Sequence, residues 1–387
     1  MISINYYDSK PSLLLRSTTI LSTKQMKSFA LGIILFAGLT YMFVINIYMT
    51  TNEMIEATKP MKNAYHIQRI NLTTNPYDIS SLMKDDFKTL IDIKDFKFLM
   101  NTNRCSLEFP ELNNNGKLGS DDEIFLVIFV HSAPNHFDKR EVIRKTWGNE
   151  ANLKTIRMRL VFLVGMVTDN SVQKNLIKEY EQYSDIVQGN FIDSYRNLTY
   201  KHVMGLKWVV YLCRNAKYVF KTDDDIFVDI FQLIYYLKGT FGNSYPPKNL
   251  INCYVINNPY PKRSQRSKWR VTFKEYPEKY YPPYCSGWGI LMSPDVVFKL
   301  YISSRQFSYF WVDDVHISGV LARHIGVTHT DMSTKLAIGD REIEQWLSSD
   351  KLSIPPLFGH PDSDTQTIYS LWNKTIKYYR FRYKYVN

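Results

Sequence analysis

Only four cysteines occur in 387 residues, and the chain has no internal repeat, low-complexity linker, zinc-finger spacing, RNP-type motif or basic helix. Four thiols are too few for a disulfide-dense scaffold. The lack of repeats excludes solenoids and propellers. The formal net charge of +11 invites a nucleic-acid reading, because basic surfaces attract phosphate backbones. The absence of a reading module and the membrane topology described below argue against that role, and no nucleic-acid partner is expected. The positive excess is spread along the chain, with one mild cluster at Lys262, Arg263, Arg266, Lys268 and Arg270. A solvated surface accounts for it, and attraction to anionic diphosphate ligands is the functional alternative.

Uninterrupted apolar sequence is equally sparse, with one exception. Phe29 to Met49 is 21 residues without a charge, long enough to cross a hydrocarbon core as a helix. It is too long for the apolar region of a signal peptide, and no small-x-small cleavage site follows. Lys10, Arg16, Lys24 and Lys27 precede it against Asp8 alone, and Glu53 and Glu56 follow. The positive-inside bias orients residues 1–28 to the cytosol and everything after Met49 to the lumen, as a single-span type II membrane protein. Three N-x-S/T sequons, at Asn71, Asn197 and Asn373, agree with that side. So does the placement of Cys105, Cys213, Cys253 and Cys285, an even number suited to two disulfides in an oxidising compartment.

Residues 50–104 are polar and mixed in charge and read as a stem, with a helical pattern over Leu82 to Ile91. Residues 105–387 read as one catalytic domain of α/β class with a mainly parallel sheet. Ile124 to Val130 is a continuous apolar run, as a central strand requires. It is followed by a helix from Asp138, a strand from Arg159 to Gly165 and a helix from Ser171 to Tyr183. A short strand at Asp185 to Val187, a helix from Thr199 to Arg214, a strand from Tyr218 to Thr222 and a helix from Phe231 to Lys238 complete the alternation. Such an order puts ligands at the carboxyl ends of the strands. Beyond residue 240 the chain is richer in Pro and Tyr and reads as irregular.

The strand from Tyr218 delivers Asp223, Asp224 and Asp225 in succession. Three carboxylates at the end of a buried strand are costly unless neutralised, and a hard divalent cation carrying a diphosphate neutralises them well. An acidic turn that caps the next helix is the competing reading.

Six segments in order settle the chemistry further. They are Arg140 to Gly148, Phe191 to Thr199, Lys221 to Asp225, Ser267 to Trp269, Tyr281 to Gly287 and Asp313 to Val315. Together they closely resemble the β1,3-galactosyltransferase family, glycosyltransferase family 31, which includes β1,3-N-acetylglucosaminyltransferases; the resemblance runs over roughly residues 105–375. It implies a GT-A type, Rossmann-like fold, a UDP-sugar donor, Mn²⁺ and inversion at the anomeric carbon, in a Golgi membrane enzyme acting on a glycan acceptor of glycoproteins or glycolipids. Galactose is the favoured sugar, and homo-oligomerisation stays open. The alternative is a catalytically silent member that acts as a glycan-binding or chaperone-like Golgi protein.

Carried over by motif, Asp223 and Asp225 are the outer positions of the family's DxD. Asp225 is implied as a metal ligand and Asp223 as a contact to the ribose or the metal, while Asp224 is left to solvent. His360, before Leu371-Trp372, matches a further metal ligand. Asp314 matches the base that takes the acceptor hydroxyl's proton, and Asp313 orients the acceptor or caps the following helix. Lys268 and Trp269 fall where the family contacts the donor. Arg140 and Arg144, four apart on one helical face, either grip phosphate or pair with carboxylates at the sheet end. Trp147 suits the core, and Trp288 suits either the core or a sugar face. The sequence departs from the vertebrate pattern after Val315: His316 stands for Tyr, Gly is displaced to Gly319, and Val320 stands for Cys. The family's placement implies a Cys105–Cys213 disulfide, and the missing Cys leaves Cys253 for Cys285.

Overall fold

In the computed structural model the described residues are 77–105, 124–153, 156–241, 247–359 and 361–384. The tail, the apolar run 29–49, the first part of the stem with Asn71, and His360 lie outside them. Among the described residues no helix is long and apolar enough to cross a membrane.

An eight-stranded sheet organises the domain. Its strands are β1 (Phe98–Met100), β2 (Ile124–His131), β3 (Met158–Met166), β4 (Ile186–Ile192), β5 (Ala216–Asp223), β7 (Ile251–Ile256), β8 (Tyr284–Met292) and β9 (Thr330–Asp331), in the order β1-β4-β3-β2-β5-β8-β7-β9. β6 (Phe227–Val228) pairs instead with β10 (Phe358–Gly359). The block β4-β3-β2-β5 is parallel throughout, as its continuous Val/Ile/Leu/Phe runs require of strands covered on both faces. The other half was not legible. Its segment after residue 240, expected to be irregular, supplies β7 and β8, and β8 runs antiparallel to both β5 and β7. The sheet is therefore mixed, with a parallel half.

Strand alternation divides the core. Leu126, Ile128 and Val130 of β2 face one side, with α1 (Phe137–Lys145), α2 (Asn170–Tyr183), α4 (Ile230–Phe241) and the C-terminal α7 (Thr365–Lys384). Val127 and Phe129 face the other, with α3 (Leu198–Leu212) and α5 (Pro294–Ser304). α3 is buried along most of its length, which a helix sandwiched between sheet and helix must be. α6 (Asp340–Ser348) is amphipathic and inserts Ile343.

Residues 77–104, assigned to the stem by sequence, belong to the domain. Tyr77, Leu90 and Phe96 are buried in the α3 side of the core, and β1 pairs with β4. The reason is polar as well as apolar. Asp86 is fully buried and accepts from the hydroxyls of Tyr211 and Tyr301 and the guanidinium of Arg305. Lys207 Nζ donates to the carbonyls of Asp86 and Thr89. The helical pattern over 82–91 resolves into a single 3₁₀ turn, Asp86–Lys88. Cys105 is bonded to Cys213 and Cys253 to Cys285, the pairings the resemblance implied. The second bond joins β7 to β8 at the root of the 257–283 excursion, which carries Lys268 and Trp269.

Candidate active site

Along the chain, β3 and β4 are added on one side of β2 and β5 on the other. This reversal opens a crevice outside the carboxyl ends of β2 and β5, where open α/β sheets bind ligands. A cleft of about 430 Å³ lies there. Its walls carry His131 and Ser132 after β2, Asp223, Asp224 and Asp225 after β5, Lys268 and Trp269 from the excursion, and Asp313 and Asp314. Five of the eight site residues proposed from sequence, Asp223, Asp225, Lys268, Trp269 and Asp314, thus share one cavity, joined there by Asp313.

The triplet is not uniform. Lys221 and Asp223, two apart, share a face of β5, and Lys221 Nζ donates to Asp223 Oδ1 at 2.6 Å and to the Gly287 carbonyl. Burial pushes the Asp223 carboxyl up to about 6 despite that ammonium. Asp224, left to solvent by sequence, is buried. It accepts from Ser132 Oγ at 2.7 Å and faces His136 Nδ1 at 2.8 Å, with Lys139 Nζ at 3.6 Å. Against the upward push of burial, these partners hold it below the usual carboxylate range. Asp224 therefore ties β5 to the β2–α1 turn. Asp225 is less open to solvent than Asp223, with Lys139 at 3.6 Å, and burial and the Asp224 charge raise its pKa. Pro361 and Asp362, on the far side of His360, line the same cleft. Ser363 N binds the Asp225 carbonyl at 3.0 Å. Gly359 is needed on the other flank: its φ is +128°, and a Cβ there would meet the Ala337 carbonyl oxygen at 2.0 Å.

Asp313 and Asp314 precede a π-helix, Val315–Leu321, a form frequent at functional sites. Asp313 Oδ2 lies 3.0 Å from His202 Nδ1. Burial pushes Asp313 up, and His202 and Lys221 outweigh it to leave its pKa lowered. Asp314 caps the π-helix through Val315 N at 2.8 Å. Burial, then the Asp313 charge, pushes its carboxyl up to about 7. Asp314 Oδ2 and Lys221 Nζ stand 3.6 Å and 3.7 Å from where a Cβ on Gly287 would be, so β8 passes between them without a side chain.

Arg140 and Arg144 do not line the cleft. Arg140 is fully buried and spends its guanidinium on Glu179, Ser132 Oγ and the Ala133 and Pro134 carbonyls. Arg144 is bidentate to Asp185 and bound to Glu179. The carboxylate-pairing alternative is the one observed, which corrects their assignment to the nucleotide. Trp147 is buried in the core. Trp288 is buried against Phe358 yet reaches the cleft wall. Trp269 is half exposed, with Lys268 Nζ 4.6 Å from its ring centre.

Sequence reasoning missed Lys221, Lys201, His131, His136 and His202. Lys201 Nζ, buried on α3, is 2.8 Å from Asp193 and 2.5 Å from the Ser132 carbonyl. One signal was present: a lysine two positions before the triplet, on the same strand face as Asp223.

A divalent cation and a nucleotide diphosphate would meet an acidic floor with basic, aromatic walls, the donor chemistry of a nucleotide-sugar transferase. The galactosyltransferase family model matches residues 138–333. The chain is 38% identical over 233 residues to β1,3-galactosyltransferase 1 of Mus musculus and of Homo sapiens, a match covering 60% of this chain and 66% of either relative. With β1,3-galactosyltransferase 5 of Pan paniscus it is 35% identical over 199 residues, 51% of this chain and 65% of that one. The matches thus span just under two thirds of these relatives. A solved galactosyltransferase, LgtC with donor and acceptor sugar analogs, covers 65% of this chain and 96% of its own at 11% identity and a TM-score of 0.34, too slight a likeness to argue from. The chain belongs to the galactosyltransferase family.

Proposed function

We propose that this protein is an inverting β1,3-glycosyltransferase of GT-A type that moves a hexose or N-acetylhexosamine, galactose favoured, from a UDP-sugar to a glycan acceptor. The observation that carries the reading is Asp314: a half-buried carboxyl, pushed up to about 7, in the same cleft as Asp223 and Asp225. A general base works best with a pKa near the working pH. Asp314 takes the proton of the acceptor hydroxyl as that oxygen attacks the anomeric carbon. Its neighbour Asp313 is engaged by His202, which leaves Asp314 to serve as the base of a single displacement with inversion.

The residues present fit a divalent cation. The Asp224 and Asp362 charges both raise the Asp225 carboxyl, and Lys139 at 3.6 Å is the cation set against them. Asp225 and Asp223, with His360, would hold Mn²⁺, which supplies charge neutralisation at the departing diphosphate. Lys221 fixes Asp223, and Trp269 and Lys268 offer a stacking face and a cation to the donor. A type II Golgi location, with the catalytic domain lumenal, is proposed from residues 1–56 and the sequons.

The test is UDP release by the purified full-length chain, with Mn²⁺, against a panel of UDP-sugars and glycan acceptors. Acceptor-dependent release with UDP-galactose, giving a β-linked product by anomeric NMR coupling, is expected. No release with any UDP-sugar, or an α-linked product, overturns the reading.

A further inference from the structure

Beneath the carboxylate pair, three side chains from separate elements converge. They are His131 at the end of β2, His202 in the first half of α3, and Asp313 before the π-helix. One ligand atom from each lies within 4.8 Å of the other two, and no other such group of three occurs among the described residues. Both imidazoles are buried, and the Nε2 of each has no hydrogen-bond partner. A buried polar atom left unpaired costs about 1–3 kcal/mol, and native proteins answer such atoms with water or an ion.

The local charges narrow the choice. Lys201 is matched by Asp193 at 2.8 Å and Lys221 by Asp223 at 2.6 Å. Asp313 meets His202 Nδ1 at 3.0 Å and also feels the Lys221 charge, and burial holds both imidazoles toward the neutral form. Two neutral imidazoles and one carboxylate are a borderline-soft donor set, suited to zinc. Bonds of about 2.0–2.2 Å to zinc place ligand atoms roughly 3.4 Å apart. His202 Nδ1 and Asp313 Oδ2 stand at 3.0 Å as a hydrogen-bonded pair, which a bound ion would replace. His131 and Asp313 both line the cleft, which gives an ion its way in.

We propose that His131, His202 and Asp313 form a second divalent-metal site, distinct from the Asp223–Asp225 site, that takes zinc. Its effect on the fold is to tie β2, α3 and the segment carrying Asp314 together at the cleft floor.

The test needs no sugar transfer, so it stands apart from the assigned activity. The purified full-length chain is stripped with chelator, reloaded with zinc alone, desalted and counted for metal, with cobalt loaded in parallel for its visible spectrum. Expected is one zinc per chain in the wild type and in Asp225→Asn. Loss of it is expected in His131→Gln and in His202→Gln, along with the cobalt bands. If His202→Gln misfolds by circular dichroism, Asp313→Asn makes the same test. Three outcomes overturn the proposal: no zinc kept by the wild type, zinc kept undiminished by these variants, or zinc lost in Asp225→Asn with the histidine variants unaffected.

Discussion

Lys221 Nζ donates to Asp223 Oδ1 at 2.6 Å from two positions earlier on the same strand. The period of two that sends alternate side chains to opposite faces puts this pair, with His131 beside it in register, on the α3 side of the sheet. Asp224 points the other way, into the β2–α1 turn. One of the two outer carboxylates of the triplet thus carries its own cation, while Asp225 has only Lys139 at 3.6 Å.

The metal affinity of the triplet should therefore reside in Asp225. Asp225→Asn keeps the size of the side chain and removes the less compensated charge. Expected are loss of turnover and weaker UDP binding in Mn²⁺, with an unchanged circular dichroism spectrum. Calorimetric titration of UDP with Mn²⁺ checks it, and near wild-type activity across Mn²⁺ concentrations would falsify the assignment.

Arg140 gives a prediction of the opposite kind. Its guanidinium is fully buried against Glu179, so Arg140→Ala leaves that carboxylate with Arg144 as its one remaining guanidinium in a low-dielectric site. Breaking such a pair costs about 3–5 kcal/mol. Denaturant unfolding should show the loss, while the UDP affinity of the protein that remains folded should be unaltered. A variant of wild-type stability with weakened UDP binding would return Arg140 to the nucleotide.

What the sequence made legible follows from which forces are local. The parallel strands announce themselves because burial on both faces leaves unbroken apolar runs, as in Ile124 to Val130. The triplet and Asp314 were legible as motifs, and the cleft unites them. Lys221, His131, His202 and Asp224 were not, because their roles depend on pairings across the sheet and between sheet and helix. For Lys221 the strand period pointed to Asp223 alone, and its second partner, the Gly287 carbonyl, is supplied by β8 from far along the chain. Residues 77–104 were misread for a related reason. Their anchors, Tyr77, Asp86, Leu90 and Phe96, are isolated in a polar stretch, and only α3 and α5 supply what they bind.

The sequons separate by geometry. Asn373 is exposed on α7. Asn197 is half-buried, its amide nitrogen donates to the Ile192 carbonyl at 2.8 Å, and its neighbours Tyr195 and Leu198 line the cleft. Expected in a lumenal protein is a mobility shift on endoglycosidase treatment that Asn373→Gln reduces and Asn197→Gln does not. No shift at all in the wild type would contradict the proposed lumenal orientation.

The base is tested by charge and by pH together. Asp314→Asn keeps the shape and the bond to Val315 N but cannot accept a proton. UDP and Mn²⁺ binding should persist, and transfer should fall by roughly 10²–10⁴-fold, the usual worth of a general base. The sign of the pH dependence follows from the upward shift. With its carboxyl pushed to about 7 by burial and the Asp313 charge, Asp314 is protonated and idle below that value and ionised above it. The turnover of the wild type under saturating substrates should therefore climb as pH rises through about 7 and level off, a limb displaced well above that of an ordinary Asp. Asp313→Asn removes the second cause of the shift, so its limb should move to lower pH. A limb that stays in place shows that Asp313 does not set it. If Asp314→Asn transfers sugar normally while Asp313→Asn is dead, the base is Asp313.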